Sequence, residues 1–268
     1  MNLARWLWRA TTGDTNAVYI TERFGVRSLH IGSDTIQSSM RLARPNDLEL
    51  AYTRSMMGFL LFNEWPERVL MVGLGGGSLA KFIYHRMPRT RVEVIEINAQ
   101  VVAVARRHFH VPADDARLAV KVGDGAVCIS QPGEAADAIV VDGYDGRSQA
   151  AELSSRAFYE VCRRRLNDRG VLVVNLWGND RRFNDYLQRI ETAFPAGTLC
   201  LPAERPGNII VFAFRDPAGS PHWDELALKA HALEARYGLE FGRFVRSLRK
   251  MNRSDGERLY ISSLPRDA

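Results

Sequence analysis

Lysine is scarce in this chain. Of 36 basic residues only four are lysines (Lys81, Lys121, Lys229 and Lys250), so the net charge of +5 against 31 acidic residues rests on arginine. Arginine binds phosphate and carboxylate well, but a bias in composition gives the same imbalance, so the count alone marks no site. Cysteine is scarcer still. Cys128, Cys162 and Cys200 are odd in number, far apart and free of any C-x-x-C spacing, which excludes a disulfide framework and a cysteine zinc site. They read as small buried hydrophobes. His108 and His110 have no acidic or cysteine partner at ligand spacing and read as a helix end, so no metal site is expected. Apolar runs such as Met56–Phe62 fall far short of the ~20 residues that span a bilayer. Residues Met1–Ala10, with Trp6 and Trp8 between Arg5 and Arg9, are too short and too broken by charge for a signal peptide. A cytoplasmic chain without a membrane partner is the expectation.

What remains is the composition of an ordinary globular protein, 46% hydrophobic and 25% charged. Basic residues gather only at Arg236, Arg243, Arg246, Arg249, Lys250 and Arg253. A solvated helix face is expected there in preference to a nucleic-acid site.

Three segments emerge. Residues 1–45 hold short alternating runs, Val18–Thr21, Arg27–Ile31 and Thr35–Ser39, separated by Phe24-Gly25 and Gly32-Ser33-Asp34, which spell a small β-hairpin module. Residues 46–215 open with a helix over Asn46–Phe62, from apolar residues at helical spacing. Buried strands then alternate with helices. The strands are Val69–Val72, Val92–Ile97, Ala119–Val122, Ala138–Val141 and Val171–Leu176; the helices include Gly75–His85, Ala99–His108, Ser155–Leu166 and Arg182–Ala193. A β-hairpin, Thr198–Leu201 and Ile209–Phe214, closes the series. Such alternation means a parallel sheet covered on both faces, and the hairpin adds one antiparallel strand. Beyond the linker at 216–220, residues 216–268 carry two amphipathic helices, Trp223–Tyr237 and Glu240–Met251, parted by Gly238.

The chemistry lies at strand ends. Val69–Val72 runs into Gly73-Leu74-Gly75-Gly76-Gly77-Ser78, a turn whose bare backbone lets N–H groups approach a ligand at a helix N-terminus. Many α/β proteins also keep such a turn for structure alone. Glu96, twenty-three residues after Gly73, ends the second strand where a carboxylate can accept both ribose hydroxyls. Asp124, in Gly123-Asp124-Gly125-Ala126, can take the amino hydrogens of adenine while a following N–H donates to the ring. It can equally cap the helix it begins. Asp142-Gly143-Tyr144-Asp145 ends the fourth strand, at the edge where open α/β sheets bind ligands. Its two carboxylates can face one cleft or simply form a turn.

Taken together, residues 18–215 resemble the spermidine synthase family, the polyamine aminopropyltransferases. The matching pieces are Thr35-Ile36-Gln37-Ser38, the glycine turn, Val94-Ile95-Glu96-Ile97, Gly123-Asp124-Gly125, Asp142-Gly143-Tyr144-Asp145, Phe158-Tyr159, and Leu201-Pro202 leading to Pro206-Gly207. The resemblance implies a Rossmann-like, doubly wound, mostly parallel seven-stranded α/β sheet of methyltransferase type, with the hairpin module before it and helices after it. It implies that Gln37, Gly73, Gly75, Gly76, Gly77, Glu96, Asp124, Gly125 and Ala126 hold decarboxylated S-adenosylmethionine as co-substrate. Asp142 is then the catalytic carboxylate, with Asp145, Tyr52 and Tyr144 around a small amine such as putrescine. No metal is implied; a homodimer is. An alkylammonium is a poor nucleophile until it loses a proton, which a nearby carboxylate can orient and accept. The sulfonium carbon is already activated, so positioning and charge stabilisation do most of the work.

Two departures from the family pattern pull the other way. Gly76 stands where the family has an aspartate for the amino end of the decarboxylated co-substrate. Arg41, Arg44 and Arg54 stand around Tyr52 in place of acidic residues. Bare N–H groups and basic surroundings suit the carboxylate of S-adenosylmethionine itself, which makes a methyltransferase on the same scaffold the alternative. A non-catalytic nucleoside-binding protein is the third possibility.

Overall fold

The computed structural model describes residues 17–143, 150–203, 207–216 and 219–261. Phe24 and Gly25 reverse the chain with both φ angles in the left-handed region, 51° and 73°. That is the two-residue hairpin turn whose twist matches its strands. It pins β1 (Val18–Arg23) against β2 (Val26–Ile31), and β3 (Ile36–Arg41) adds a third antiparallel strand. Val18, Leu29 and Met40 point from this sheet onto Val101 and Phe109, so the module seats on the third helix of the main body.

The stretch read as one helix over Asn46–Phe62 is shorter. α1 covers Ala51–Met56 and tightens into a 3₁₀ turn at Met57–Leu61. Before Ala51 the carbonyls of Leu48 and Glu49 accept hydrogen bonds from the Arg54 guanidinium, at 3.3 and 2.7 Å. Those are the acceptors that a longer helix would use for its own ladder. In the 3₁₀ turn, a Cβ on Gly58 would stand 3.0 Å from Leu201 and 3.1 Å from Phe212, a close approach to the sheet.

Strands and helices then alternate: β4 (Arg68–Val72), α2 (Ser78–Arg86), β5 (Arg91–Glu96), α3 (Ala99–His108), β6 (Leu118–Val122), α4 (Gly125–Ser130), β7 (Ala136–Val141), α5 (Arg156–Arg165), β8 (Leu166–Trp177) and α6 (Phe183–Ala193). β9 (Thr198–Pro202) and β10 (Asn208–Phe214) complete a seven-stranded sheet of order β6-β5-β4-β7-β8-β10-β9. Only β10 runs against its neighbours.

Alternation within β4 divides the core. Val69 and Met71 face a cluster with Phe59, Phe82 and Phe212, while Leu70 and Val72 face one with Phe158, Tyr159 and Ile190. α7 (Trp223–Tyr237) and α8 (Phe241–Met251) join the first cluster through Leu226, Leu233, Phe241 and Leu248. Of the C-terminal arginines, Arg236 pairs with Glu64 at 2.9 Å and lies over the Trp65 ring. Arg249 lies over Trp223 and Arg253 over Tyr260. Cys162 is fully buried, but Cys128 and Cys200 are only partly so, which corrects the expectation that all three are interior. No helix among the described residues is long and apolar enough to cross a membrane.

Candidate active site

The sheet order reverses between β4 and β7, the switch point where open α/β sheets bind ligands. Gly73 makes this edge possible. Its φ is +96°, and a Cβ there would lie 2.3 Å from the Asp142 carbonyl oxygen, so only glycine lets the ends of β4 and β7 meet so closely. Asp142 N–H donates to the Val72 carbonyl at 2.9 Å, which continues the parallel pairing and aims the Asp142 side chain into a cleft of about 830 Å³.

Asp142 is held at both oxygens. The Tyr52 hydroxyl lies 3.1 Å from Oδ2 and Asn175 Nδ2 donates to Oδ1 at 2.9 Å. Burial pushes the carboxyl above its ordinary range; the Asn175 and Tyr52 hydrogen bonds draw it back, and the Glu96 charge adds to the rise. Asn175 in turn accepts from Asn208 Nδ2 at 2.9 Å. Glu96 is nearly buried and anchors the glycine turn: Leu74 N–H donates to its Oε2 at 2.9 Å, and Asn98 N–H to its Oε1 at 3.0 Å. Asp124 accepts from Ala126 N–H at 2.8 Å and Val127 N–H at 3.2 Å, both on Oδ1. It therefore caps α4 and lines the cleft as well.

Eight of the expected residues line this one cleft: Gln37, Tyr52, Gly73, Gly75, Glu96, Asp124, Gly125 and Asp142. Gly76, Gly77 and Ala126 do not line it. A Cβ on Gly76 would meet Ser38 Oγ at 2.8 Å and the Phe109 ring at 2.9 Å, so packing against the N-terminal module accounts for glycine here. Gly77 N–H donates to the Leu74 carbonyl, and Ala126 N–H donates to Asp124 Oδ1. Tyr144 and Asp145 lie outside the described residues.

The arginines expected around Tyr52 turn elsewhere. Arg41 pairs with Glu49 at 2.5 Å, Arg44 with Asp47 at 3.5 Å, and Arg54 with Glu240 at 2.8 Å. Among the described residues no lysine or arginine lines the cleft, whereas Glu96, Asp124, Asp142 and Glu152 do. Asn175, Asn208, Trp177 and Glu152 also line it and escape a reading of the sequence. Asn175 leaves a signal: it is the one polar residue of the run Val171–Leu176. No group of three or more histidine, cysteine or acidic side chains suited to a metal ion occurs among the described residues.

Comparison with known proteins bears directly on this arrangement. Residues 49–217 match the model of the spermine/spermidine synthase domain. A polyamine aminopropyltransferase of Chromobacterium violaceum is 42% identical over 244 residues, covering 91% of this chain and 94% of the relative. The chain belongs to the spermine/spermidine synthase family. Its fold is that of the family's solved members. A spermidine synthase in complex with the transition-state analogue AdoDATO aligns with a TM-score of 0.67 at 20% identity, covering 81% of this chain and 76% of that one. The family scaffold is shared more widely. Human methyltransferase-like protein 13, in complex with SAH, aligns with a TM-score of 0.62 at 25% identity, covering 77% of this chain and 96% of that one.

Proposed function

We propose that this chain is a polyamine aminopropyltransferase, which moves an aminopropyl group from decarboxylated S-adenosylmethionine to a small amine such as putrescine. The carrying observation is the charge of the cleft, four carboxylates with no lysine or arginine among the described lining residues. Decarboxylated S-adenosylmethionine brings a sulfonium and an ammonium, and the acceptor brings further ammonium groups. An acidic, partly enclosed cleft attracts such cations. Among the described lining residues the carboxylate of S-adenosylmethionine would meet no counter-charge. The relatives named polyamine aminopropyltransferases support the same reading.

In this reading Glu96 and Asp124 hold the nucleoside, and the Gly73 and Gly75 backbone leaves room beside it. Asp142 faces the amine and accepts its proton. A carboxylate pushed up by burial lies nearer the operating pH than a solvated one, which suits a proton acceptor. Tyr52 and Asn175 hold it in place, and Asp145 anchors the far end of the amine. A homodimer and a cytoplasmic setting belong to the same proposal; three free cysteines fit a reducing compartment.

Methyl transfer from S-adenosylmethionine is the second reading, favoured by the likeness to a methyltransferase structure with SAH. One assay separates the two. The protein is incubated with putrescine and either cofactor, and products are read by mass spectrometry. Spermidine and methylthioadenosine from the decarboxylated cofactor are expected. Adenosylhomocysteine from S-adenosylmethionine, without aminopropyl transfer, would overturn the proposal.

A further inference from the structure

The two carboxylate oxygens of Asp142 stand in unlike surroundings, and we infer that Asn208 and Asn175 act in series to reserve Oδ1, so that the amine's proton is taken by Oδ2. The inference rests on the proposed role of Asp142 as proton acceptor. It concerns which atom takes the proton and which residues decide that.

On the Oδ1 side, Asn175 Nδ2 donates at 2.9 Å, and Asn175 Oδ1 accepts from Asn208 Nδ2 at 2.9 Å. Asn175 is 2% exposed, so its amide depends mainly on protein partners. An amide offers a carbonyl on one side and an NH₂ on the other, and turning it exchanges them. With the Asn208 NH₂ facing it, only one orientation of Asn175 leaves every group paired. The reverse sets NH₂ against NH₂ and carbonyl oxygen against carboxylate, and leaves buried groups unsatisfied. Asn208 therefore reinforces the orientation that the ionised Asp142 already favours, and Asn175 keeps an N–H on Oδ1. A proton on Oδ1 would weaken that charge-assisted hydrogen bond, and Asn175 has no lone pair to offer it there.

On the Oδ2 side, the Tyr52 hydroxyl is 3.1 Å from Oδ2 and 3.2 Å from the Gln37 carbonyl oxygen. A hydroxyl has one hydrogen and can also accept. While Asp142 is ionised, that hydrogen points to Oδ2. Once Oδ2 is protonated, the hydrogen turns to the Gln37 carbonyl and the Tyr52 oxygen accepts from Asp142. No heavy atom moves.

The chemical step balances. An N–H bond of the ammonium breaks, its proton goes to Asp142 Oδ2 and its electron pair stays on nitrogen. That pair forms the new C–N bond to the methylene beside sulfur, and the C–S pair returns to the sulfonium, leaving a neutral thioether. The titratable groups facing Asp142 among the described residues are Tyr52 from α1 and Glu96 from β5. Asn175 and Asn208 carry no charge. Both asparagines are positioning residues.

The test is the pH dependence of kcat/KM with decarboxylated S-adenosylmethionine and putrescine for the parent, Asn175→Leu, Asn208→Ala and the double variant. Loss of a donor to a carboxylate raises its pKa, so the acid limb in Asn175→Leu should move up by about one pH unit, with activity recovering at higher pH. Asn208→Ala should move it the same way by less. The double variant should match Asn175→Leu alone, since Asn208 acts only through Asn175. An infrared titration of the Asp142 carboxyl in Asn208→Ala gives the same answer without turnover, should the buried Leu substitution prevent folding. An unmoved limb in Asn175→Leu, an unmoved carboxyl in Asn208→Ala, or additive shifts in the double variant would overturn the inference. If Asp142→Asn is inactive and the Asn175→Leu limb is unmoved, this inference alone fails. Full activity in Asp142→Asn removes the reading of Asp142 on which it rests.

Discussion

Tyr52 and Asp142, ninety residues apart in sequence, meet at 3.1 Å across the mouth of the sheet. The contact ties α1 to the end of β7, and it places the one phenol among the described lining residues on the carboxylate proposed to do the chemistry.

Replacing that carboxylate should trade activity for stability. Asp142→Asn keeps the shape and loses the proton acceptor, so turnover should fall by ~10²–10⁴ with nucleoside affinity near normal. The folded-state pKa of Asp142 is raised by burial, so the ionised form weighs against the fold. That cost is absent below the ordinary carboxylate pKa, grows as pH rises to the raised folded value, and is fully present above it. Asp142→Asn should therefore melt higher than the parent at pH 7, and the gap should close as pH falls towards about 4. Thermal melts across that range check the sign; an equal gap at all pH values would contradict it.

Asp124 has two tasks that substitution can separate. Asp124→Ala removes the cap of α4, costing ~1 kcal/mol of stability, and should also weaken methylthioadenosine by ~1.5–3 kcal/mol. Asp124→Asn keeps a capping oxygen, so its stability should stay close to the parent while binding still weakens. Calorimetry on both variants, with melts alongside, distinguishes a ligand contact from a cap alone. Equal binding in all three proteins would leave only the cap.

At Gly76 the expectation concerns packing. A Cβ would stand 2.8 Å from Ser38 Oγ and 2.9 Å from the Phe109 ring, and Phe109 is fully buried. Gly76→Ala should cost ~1–3 kcal/mol, the range for overpacking, and Gly76→Asp more. Ser38→Gly should recover part of the loss in the alanine variant. Denaturant midpoints test this; an undiminished midpoint in Gly76→Ala would show that the module yields freely.

Lys81 offers a pH test remote from the cleft. It is buried, donates to the Pro45 carbonyl at 2.7 Å and the Phe109 carbonyl at 2.6 Å, and burial lowers its pKa to about 8. The unfolded value of 10.5 is higher, so charge on Lys81 opposes folding below pH 8, and that opposition fades between about 8 and 10.5. Relative to Lys81→Met, the parent should gain stability across that window. The methionine variant should be the weaker at every pH, because two carbonyls lose their donor. A parent-to-variant difference that is flat in pH would refute the shift.

Much of this architecture is legible in the amino-acid sequence. Buried strands announce themselves as apolar runs, and the glycine turn, Glu96, Asp124 and Asp142 all sit where such strands stop. Long-range pairing is not legible in the same way. Arg54 reads as a neighbour of the cleft because its partner Glu240 lies 186 residues away. Asn175 is hidden in a strand that declares itself by hydrophobicity, and Asn208 stands at a strand start, where a search of strand ends does not look. The 3₁₀ turn at Met57–Leu61 lies where Gly58 closes on Leu201 and Phe212, a long-range approach that local spacing cannot report.

The direction of β10 has a further consequence. Parallel strands bring only their last residues to the ligand edge, but β10 runs the other way and delivers its first residue, Asn208, beside Asn175. The cleft is thereby split in ownership. Gly73, Gly75, Glu96 and Asp124 come from the ends of β4, β5 and β6, while Asp142, Asn175, Trp177 and Asn208 come from β7, β8 and β10. The two flanks are tied where Gly73 packs on the Asp142 backbone. Among the described residues the closing hairpin reaches the cleft through Asn208 alone, so a strand whose other side chains build the core hands the site one amide by virtue of its direction.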